Sequence, residues 1–319
     1  MQQYTRNLAL EFVRVTEAAA IAASQWIGRG DKHAADQAAV NEMRSRFNQI
    51  DFHGTVVIGE GRKDEAPMLY TGEQVGKGKQ PIMDLAIDPL ECTDSVAYGR
   101  YNALTVIAAG AKGSLLHAPD MYMEKIAAGS IAAKVIDLDA PTKVNIANVA
   151  KALGKDPREV TVVVLDRERH QKLIAEIRET GARVRLITDG DIAAAIAPCM
   201  DDNPIDLLLG IGASAEAVLA ATAIKTLGGQ LLCRFAPQKE SENQLLKEAG
   251  ITDSTKILSV AELAKGDELT FTATGVIEGP LLEGVVVKGN KIITHSLVIR
   301  GTSGTIRFMK TEHHYQPEK

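Results

Sequence analysis

The residues best placed to do chemistry are acids at the ends of apolar runs. In PIMDLAIDPLECT (Pro81 to Thr93) a period-two pattern puts Asp84, Ala86 and Asp88 on one face of a predicted strand, with Met83, Leu85 and Ile87 on the other and Pro89 turning the chain. Glu91 follows, with Thr93 beside it, so one turn could bring two carboxylates and a hydroxyl to a single cation. Hard oxygen donors of this kind suit Mg²⁺ or Mn²⁺, which keep several waters and bridge to phosphate. The bland alternative is that these acids solvate a loop or cap a helix. Glu60 repeats the arrangement: GTVVIGEG (Gly54 to Gly61) ends on an acid between Gly59 and Gly61, which permit close backbone approach.

Other chemistry-bearing residues carry two readings each. Asp36, in GRGDKHAAD, lies early in a predicted helix, as a ligand or as a first-turn charge that complements the helix dipole. Lys32 is a phosphate contact or a solvated lysine, and Asp64 and Glu65 in RKDEAPM read most simply as turn acids. IGASAEA follows the strand-like IDLLLG and opens a helix, so its amides offer an anion site; Glu216 there is a ligand or a dipole-complementing acid. Gly210, Gly212 and Ala215 match dinucleotide-binding spacing, but no acid follows about 20 residues on to hold a ribose, which sets a nicotinamide enzyme aside. DRERH (Asp166 to His170) presents Arg167 and Arg169 at a strand end, to grip phosphate or to stay solvated.

The elements that must position these residues follow from periodicity. Leu8, Phe12, Val15, Ala19, Ala22 and Trp26 mark an amphipathic helix that stops at Gly28-Arg29-Gly30, and a second helix runs from Ala34 to Phe47. ALTVIAAG reads as a third strand, turning at Lys112-Gly113. From about Lys155 strands alternate with helices: VTVVVLD, His170 to Thr180, ARVRLITD, Ile192 to Met200, IDLLLGIG, then Ala215 to Leu227. That alternation is the form of βαβ crossovers and a parallel sheet. The expected fold is α/β or α+β, with a domain boundary near Lys155 that divides residues 1–155, carrying most of the acids, from 156–319. The last fifty residues are strand-rich, with no position assigned.

Composition limits the alternatives. The 319 residues are 45% hydrophobic and 4% aromatic with a net charge of -5, so Ala, Val, Ile and Leu must build the core and no basic stripe invites a nucleic acid. Three widely spaced cysteines (Cys92, Cys199, Cys233) make neither a disulfide framework nor a structural zinc site. No charge-free apolar run approaches the roughly 20 residues needed to cross a bilayer, and no export signal stands at the start. These features lead to the expectation of a cytoplasmic protein.

Taken in order, GRGDKHAAD, VVIGEG with DEAPMLYTGEQVG, DLAIDPLECT, NALTVIA, APDMYMEKIA, GARVRLITDGD and ATGVIEGPLLEGV resemble the class II fructose-1,6-bisphosphatases over nearly the whole chain. That family belongs to the lithium-sensitive, metal-dependent phosphatases, whose two-domain fold stacks helix and sheet layers. The resemblance implies that Asp36 and Glu60 hold one divalent ion and that Asp88, Glu91 and Glu216 hold or surround another, Mn²⁺ or Mg²⁺. It implies that Thr93 orients or deprotonates the attacking water, with Lys32 and Asp64 as further catalytic candidates. Glu91, Cys92, Thr93, Tyr122, Arg167, Glu168, Arg169, Asp189, Gly190, Asp191 and Ala213 match sugar-bisphosphate positions, Asp189 and Asp191 through the sugar hydroxyls. A homodimer or homotetramer is implied too.

Three departures from the family pattern stand out. Cys92 replaces the glycine of E-G-T, where a side chain could forbid a positive φ. Arg62 replaces the acid after GEG, followed by Lys63, and Gly212 to Ala217 loses two glycines and a proline around Glu216. Three functions follow: a fructose-1,6-bisphosphatase, with sedoheptulose 1,7-bisphosphate as a possible second substrate; a phosphatase of another small phosphomonoester; or a non-catalytic sugar-phosphate-binding relative. Every expected ligand acid is retained.

Overall fold

A computed structural model describes residues 8–61 and 68–314; Arg62, Lys63, Asp64 and Glu65 lie outside them. Along the chain come α1 (Ala9–Ser24), α2 (Lys32–Phe47), β1 (His53–Ile58), β2 (Gln74–Val75), β3 (Ile82–Glu91), α3 (Thr93–Tyr98), β4 (Ala103–Ala111) and β5 (Tyr122–Ala128). Then follow α4 (Thr142–Leu153), β6 (Thr161–Leu165), α5 (Gln171–Glu179), β7 (Arg183–Ile187), α6 (Ile192–Ile196), β8 (Leu207–Ala213), α7 (Ser214–Thr226) and β9 (Gln230–Phe235). The last elements are α8 (Glu240–Glu248), α9 (Val260–Leu263), β10 (Thr270–Ile277), β11 (Val286–Lys288), β12 (Lys291–Arg300) and β13 (Thr305–His314). The chain is α/β, in two compact units: Met1–Leu115 with Gly266–Lys319, and Leu116–Lys265.

The expected boundary near Lys155 therefore falls inside the second unit. Local periodicity changes there because the strand–helix alternation begins, whereas the units are separated by long-range pairing. Strand β10 pairs antiparallel with β4 and with β12, returning the C-terminal strands to the first unit.

In the first unit the strand order is β11-β12-β10-β4-β3-β1-β2, with β13 also paired to β12. Helix α1 packs over β10, β12 and β4, and α2 packs on α1 and β3. Their shared core uses half of the scarce phenylalanines: the Phe12 ring meets Phe52 and Phe47 edge-on at centroid distances of 5.6 and 6.1 Å. The buried stripe of α1 continues through Ala19, Ala20 and Ala23, while Ala22 and Trp26 are only partly buried. Thr16 is buried beneath it; its hydroxyl meets that of Thr274 at 2.8 Å and its carbonyl accepts from Thr105 Oγ1 at 2.8 Å, so both of these buried groups of Thr16 have partners.

In the second unit the order is β7-β6-β8-β5-β9. Strands β7, β6 and β8 are parallel, as the alternation predicts, but β5 pairs antiparallel with both β8 and β9, so β5 alone is reversed. Helix α6 ends at Ile196 and tightens into a 3₁₀ turn over Ala197–Cys199, because Pro198 lacks the N–H that the α-helix would need. No helix among the described residues is long and apolar enough to cross a membrane.

Candidate active site

The first unit positions four of the five expected ligand acids. Asp31 caps α2, accepting from Ala34 N at 2.9 Å, so the helix begins at Lys32 and Asp36 falls beyond its first turn. The dipole reading of Asp36 thus loses its geometry. Burial raises the Asp36 carboxyl, opposed by the nearby His33 charge. Glu60 leaves β1 between Gly59 and Gly61, and its amide donates to Leu69 O at 3.1 Å. A Cβ at Gly59 would collide with that same carbonyl, so the close approach requires glycine. Burial first, and then the Asp36 charge, raise the Glu60 carboxyl to about 7.

Strand β3 does not stop at Pro89 but runs to Glu91, with a register shift against β4 between Asp88 and Glu91. Proline is tolerated there because the irregularity relieves the ladder of its missing donor. Asp84 is buried and accepts from Gly113 N at 2.7 Å, a structural bond that closes the β4 turn. Asp88 accepts from Leu90 N at 3.0 Å, and Glu91 is buried. Cys92 then adopts φ 69 and ψ 50, the left-handed region where a glycine is at ease, and Asn102 Nδ2 donates to its sulfur at 3.6 Å. Thr93 opens α3, and Lys32 Nζ lies 3.5 Å from Asp94 Oδ1.

The second unit gathers the remaining expected residues in two groups. Arg167 Nη2 donates to Asp189 Oδ1 at 3.2 Å, while Arg169 stacks 4.6 Å over the Tyr122 ring and donates to Ile211 O at 2.8 Å. Glu168 sits in the short 3₁₀ turn between the arginines. Ala213 is the residue before α7; the Ser214 amide donates to Met121 O at 2.9 Å, so the first amide of that helix is not available to an anion.

The other group is buried. Asp191 accepts through both carboxylate oxygens from Lys125 Nζ, at 2.9 and 2.8 Å. Glu216 lies in the first turn of α7 with Oε2 buried and without a hydrogen-bond partner among the described residues. Burial raises its carboxyl to about 7; the Lys125 charge pulls it down while those of Asp191 and Asp120 push it up. Burial also pushes the Cys199 and Cys233 thiols up to about 12, which makes them poor nucleophiles.

Sequence reasoning missed Lys125 and His170. The signal for the first was a lysine inside the otherwise apolar strand ending YMEKIAA, a placement rare without a buried partner. His170 closes the DRERH run; Nδ1 donates to Leu165 O and Nε2 accepts from Ile211 N, both at 2.8 Å, so the ring is neutral and ties β6 to β8.

The donor set fits a hard divalent cation: carboxylates held partly protonated by burial and by each other, and one orphaned buried oxygen, all gain from a positive charge. Among the described residues no three His, Cys, Asp or Glu side chains gather closely enough to make a complete cage.

Residues 6–313 match the sequence profile described as "Bacterial fructose-1,6-bisphosphatase, glpX-encoded". The chain belongs to this fructose-1,6-bisphosphatase family. It is 47% identical over 321 aligned positions to "Fructose-1,6-bisphosphatase 1 class 2" of Escherichia coli strain K12, covering 97% of this chain and 96% of that protein. It is similar, at 44% identity with the same coverage, to "Fructose-1,6-bisphosphatase class 2" of Haemophilus influenzae. A fructose-1,6-bisphosphatase of this family thus presents the expected acids on two separate compact units.

Proposed function

We infer that this chain is a divalent-metal-dependent fructose-1,6-bisphosphatase, releasing the 1-phosphate to leave fructose 6-phosphate. The observation that carries the reading is the family match over nearly the whole chain together with retention of all five ligand acids. Asp36 and Glu60 would hold one cation, Asp88 and Glu91 another, and Glu216 is the ligand that the second unit offers. When bound, such a cation neutralises the phosphate oxygens, activates water and stabilises the leaving alkoxide.

The chain's own residues supply position. The Thr93 hydroxyl accepts a hydrogen bond from, and so orients, the attacking water, while Glu91, Cys92 and Thr93 line the reacting phosphate. Lys32 holds α2 to α3 through Asp94, and Asp64 is the candidate acid or base. Arg167, Arg169 and Tyr122 grip the distal phosphate, flanked by Glu168 and Ala213, and Asp189, Gly190 and Asp191 address the sugar. Binding energy at the distal phosphate orients the 1-phosphate for in-line attack.

The test is phosphate release by purified protein with Mn²⁺ or Mg²⁺ from fructose 1,6-bisphosphate, sedoheptulose 1,7-bisphosphate, fructose 6-phosphate and inositol phosphate. Metal-dependent release from fructose 1,6-bisphosphate, abolished by a chelator, is the expected result. A second reading, a binding protein without turnover, draws on the strained Cys92 turn; it predicts fructose 1,6-bisphosphate binding without release. A cytoplasmic homodimer or homotetramer belongs to the same proposal, checked by light scattering and fractionation.

A further inference from the structure

Two motifs of the family resemblance, NALTVIA and ATGVIEGPLLEGV, contain none of the expected site residues, yet they meet at the Cys92 turn. Asn102, the residue before β4, is 2% exposed and left-handed at φ 70, a conformation that asparagine tolerates better than most side chains. Its amide donates to Glu278 O at 2.8 Å, just past the end of β10. A Cβ at Gly279 would stand 2.6 Å from Asn102 Oδ1, so the chain approaches that side chain as closely as only glycine allows. The loop beyond is itself tightly closed: Gly279 N donates to Leu282 O at 2.9 Å, and a Cβ at Gly275 or Gly284 would collide with the backbone of Glu283 or Glu278.

Held from that side, Asn102 turns its Nδ2 donor onto Cys92 Sγ at 3.6 Å, ten residues back in the chain. Both ends of this segment are left-handed, and the bond between them closes the loop that carries Thr93. Cys92 O in turn accepts from Ser95 N at 2.9 Å and from Val96 N at 3.3 Å, the first bonds of α3. The same side chain that strains the turn thus supplies the acceptor that fastens it.

We propose that Asn102 is a positioning residue, which by donating to Cys92 Sγ holds the Cys92–Thr93 turn so that the Thr93 hydroxyl keeps one geometry toward the attacking water. The proposal rests on the fructose-1,6-bisphosphatase reading for the reaction, though not for the turn itself. Thr93 acts on the water as the phosphoryl group transfers, so loosening its turn lowers kcat and leaves substrate affinity nearly intact.

The experiment uses the full chain as wild type, Asn102→Gly, Asn102→Asp, Cys92→Gly and the double variant Asn102→Gly with Cys92→Gly. Glycine and aspartate both accept the left-handed backbone, and at pH 8 neither offers the amide donor. With Mn²⁺, both Asn102 variants are expected to lose about tenfold or more in kcat, with KM within about threefold of wild type. In the Cys92→Gly background, where no sulfur remains to be held, Asn102→Gly is expected to change kcat by less than about threefold. Without metal, hydrogen exchange at the Ser95 and Val96 amides is expected to quicken about tenfold in Asn102→Gly, with the β4 amides unchanged. The isosteric Asn102→Asp supplies the same comparisons if the glycine variant does not fold. Wild-type kcat in both Asn102 variants, a loss that falls on KM alone, an equal kcat loss in the Cys92→Gly background, or unchanged exchange at Ser95 and Val96 overturns the proposal. Should the wild type release no phosphate, the fructose-1,6-bisphosphatase reading fails, while exchange still decides the turn.

Discussion

Glu60 and Asp36 stand close enough that, after burial, the Asp36 charge is what most raises the Glu60 carboxyl, to about 7. The unfolded chain loses that proton near 4.5. Between these values the folded protein holds a proton that the unfolded chain has released, so metal-free stability falls as pH rises from 4.5 to 7 and the penalty is full above 7. Glu60→Gln removes it. The metal-free variant is expected to be more stable than metal-free wild type at pH 8, by about 3 kcal/mol, with no difference near pH 4. Added Mn²⁺ raises the melting temperature of wild type far more than that of the variant. Equal Mn²⁺ responses would remove Glu60 from the metal site.

His170 gives the opposite slope. Burial lowers its pKa from 6.5 against the raising effect of the Leu165 carbonyl, so the folded ring stays neutral where the unfolded one takes a proton. Stability is present above about 6.5 and is lost as pH falls below it. In His170→Gln the melting temperature should show a flatter profile between pH 7 and 5, even if lower throughout; an unchanged slope would contradict the neutral buried ring.

Cys92 pits strain against packing. A side chain in the left-handed region costs about 1–2 kcal/mol, while glycine there loses a buried thiol and loosens the unfolded chain by about as much together. Cys92→Gly is therefore expected to change stability by less than about 1 kcal/mol, whereas the β-branched Cys92→Val loses at least about 2 kcal/mol. Chemical denaturation of the two variants settles it.

Glu73 holds the loop that holds Glu60. It accepts from the Leu69 amide and, at 2.5 Å, from Arg44 Nε, and Leu69, at φ 57, in turn accepts the Glu60 amide. Glu73→Ala should cost about 2–4 kcal/mol and shift the Mn²⁺ titration midpoint upward, although Glu73 is not itself an expected ligand. An unmoved midpoint would confine Glu73 to stability alone.

Thr93 offers a separation by chemistry. Thr93→Ser keeps the hydroxyl and is expected to retain kcat within about tenfold, whereas Thr93→Ala loses about 10²- to 10⁴-fold with KM little changed. Similar losses in both would point to the backbone turn instead.

The acids were legible because each follows an apolar run, where a charge needs a reason; β1, β3 and β4 appear where the periodicity puts them. The trouble at Cys92 was legible as a side chain at a glycine position, and it is indeed left-handed. What stayed hidden depends on pairing between distant segments. Nothing local shows that β10 joins β4, nor that Asp191 meets Lys125 through a gap at Gly212, nor that Tyr122 carries Arg169. The strand β3 also outran its proline, because a register shift absorbed the missing donor.

The antiparallel ladder between β4 and β10 has a further meaning for the growing chain. As the polypeptide leaves the ribosome, all of Leu116–Lys265 emerges before β10 does, so that unit can acquire its whole core while the other still lacks a central strand. Until Thr270–Ile277 arrives, β4 offers an open apolar edge, the kind of edge that invites pairing with a stranger. The order of synthesis thus makes the first-translated half the last to be finished.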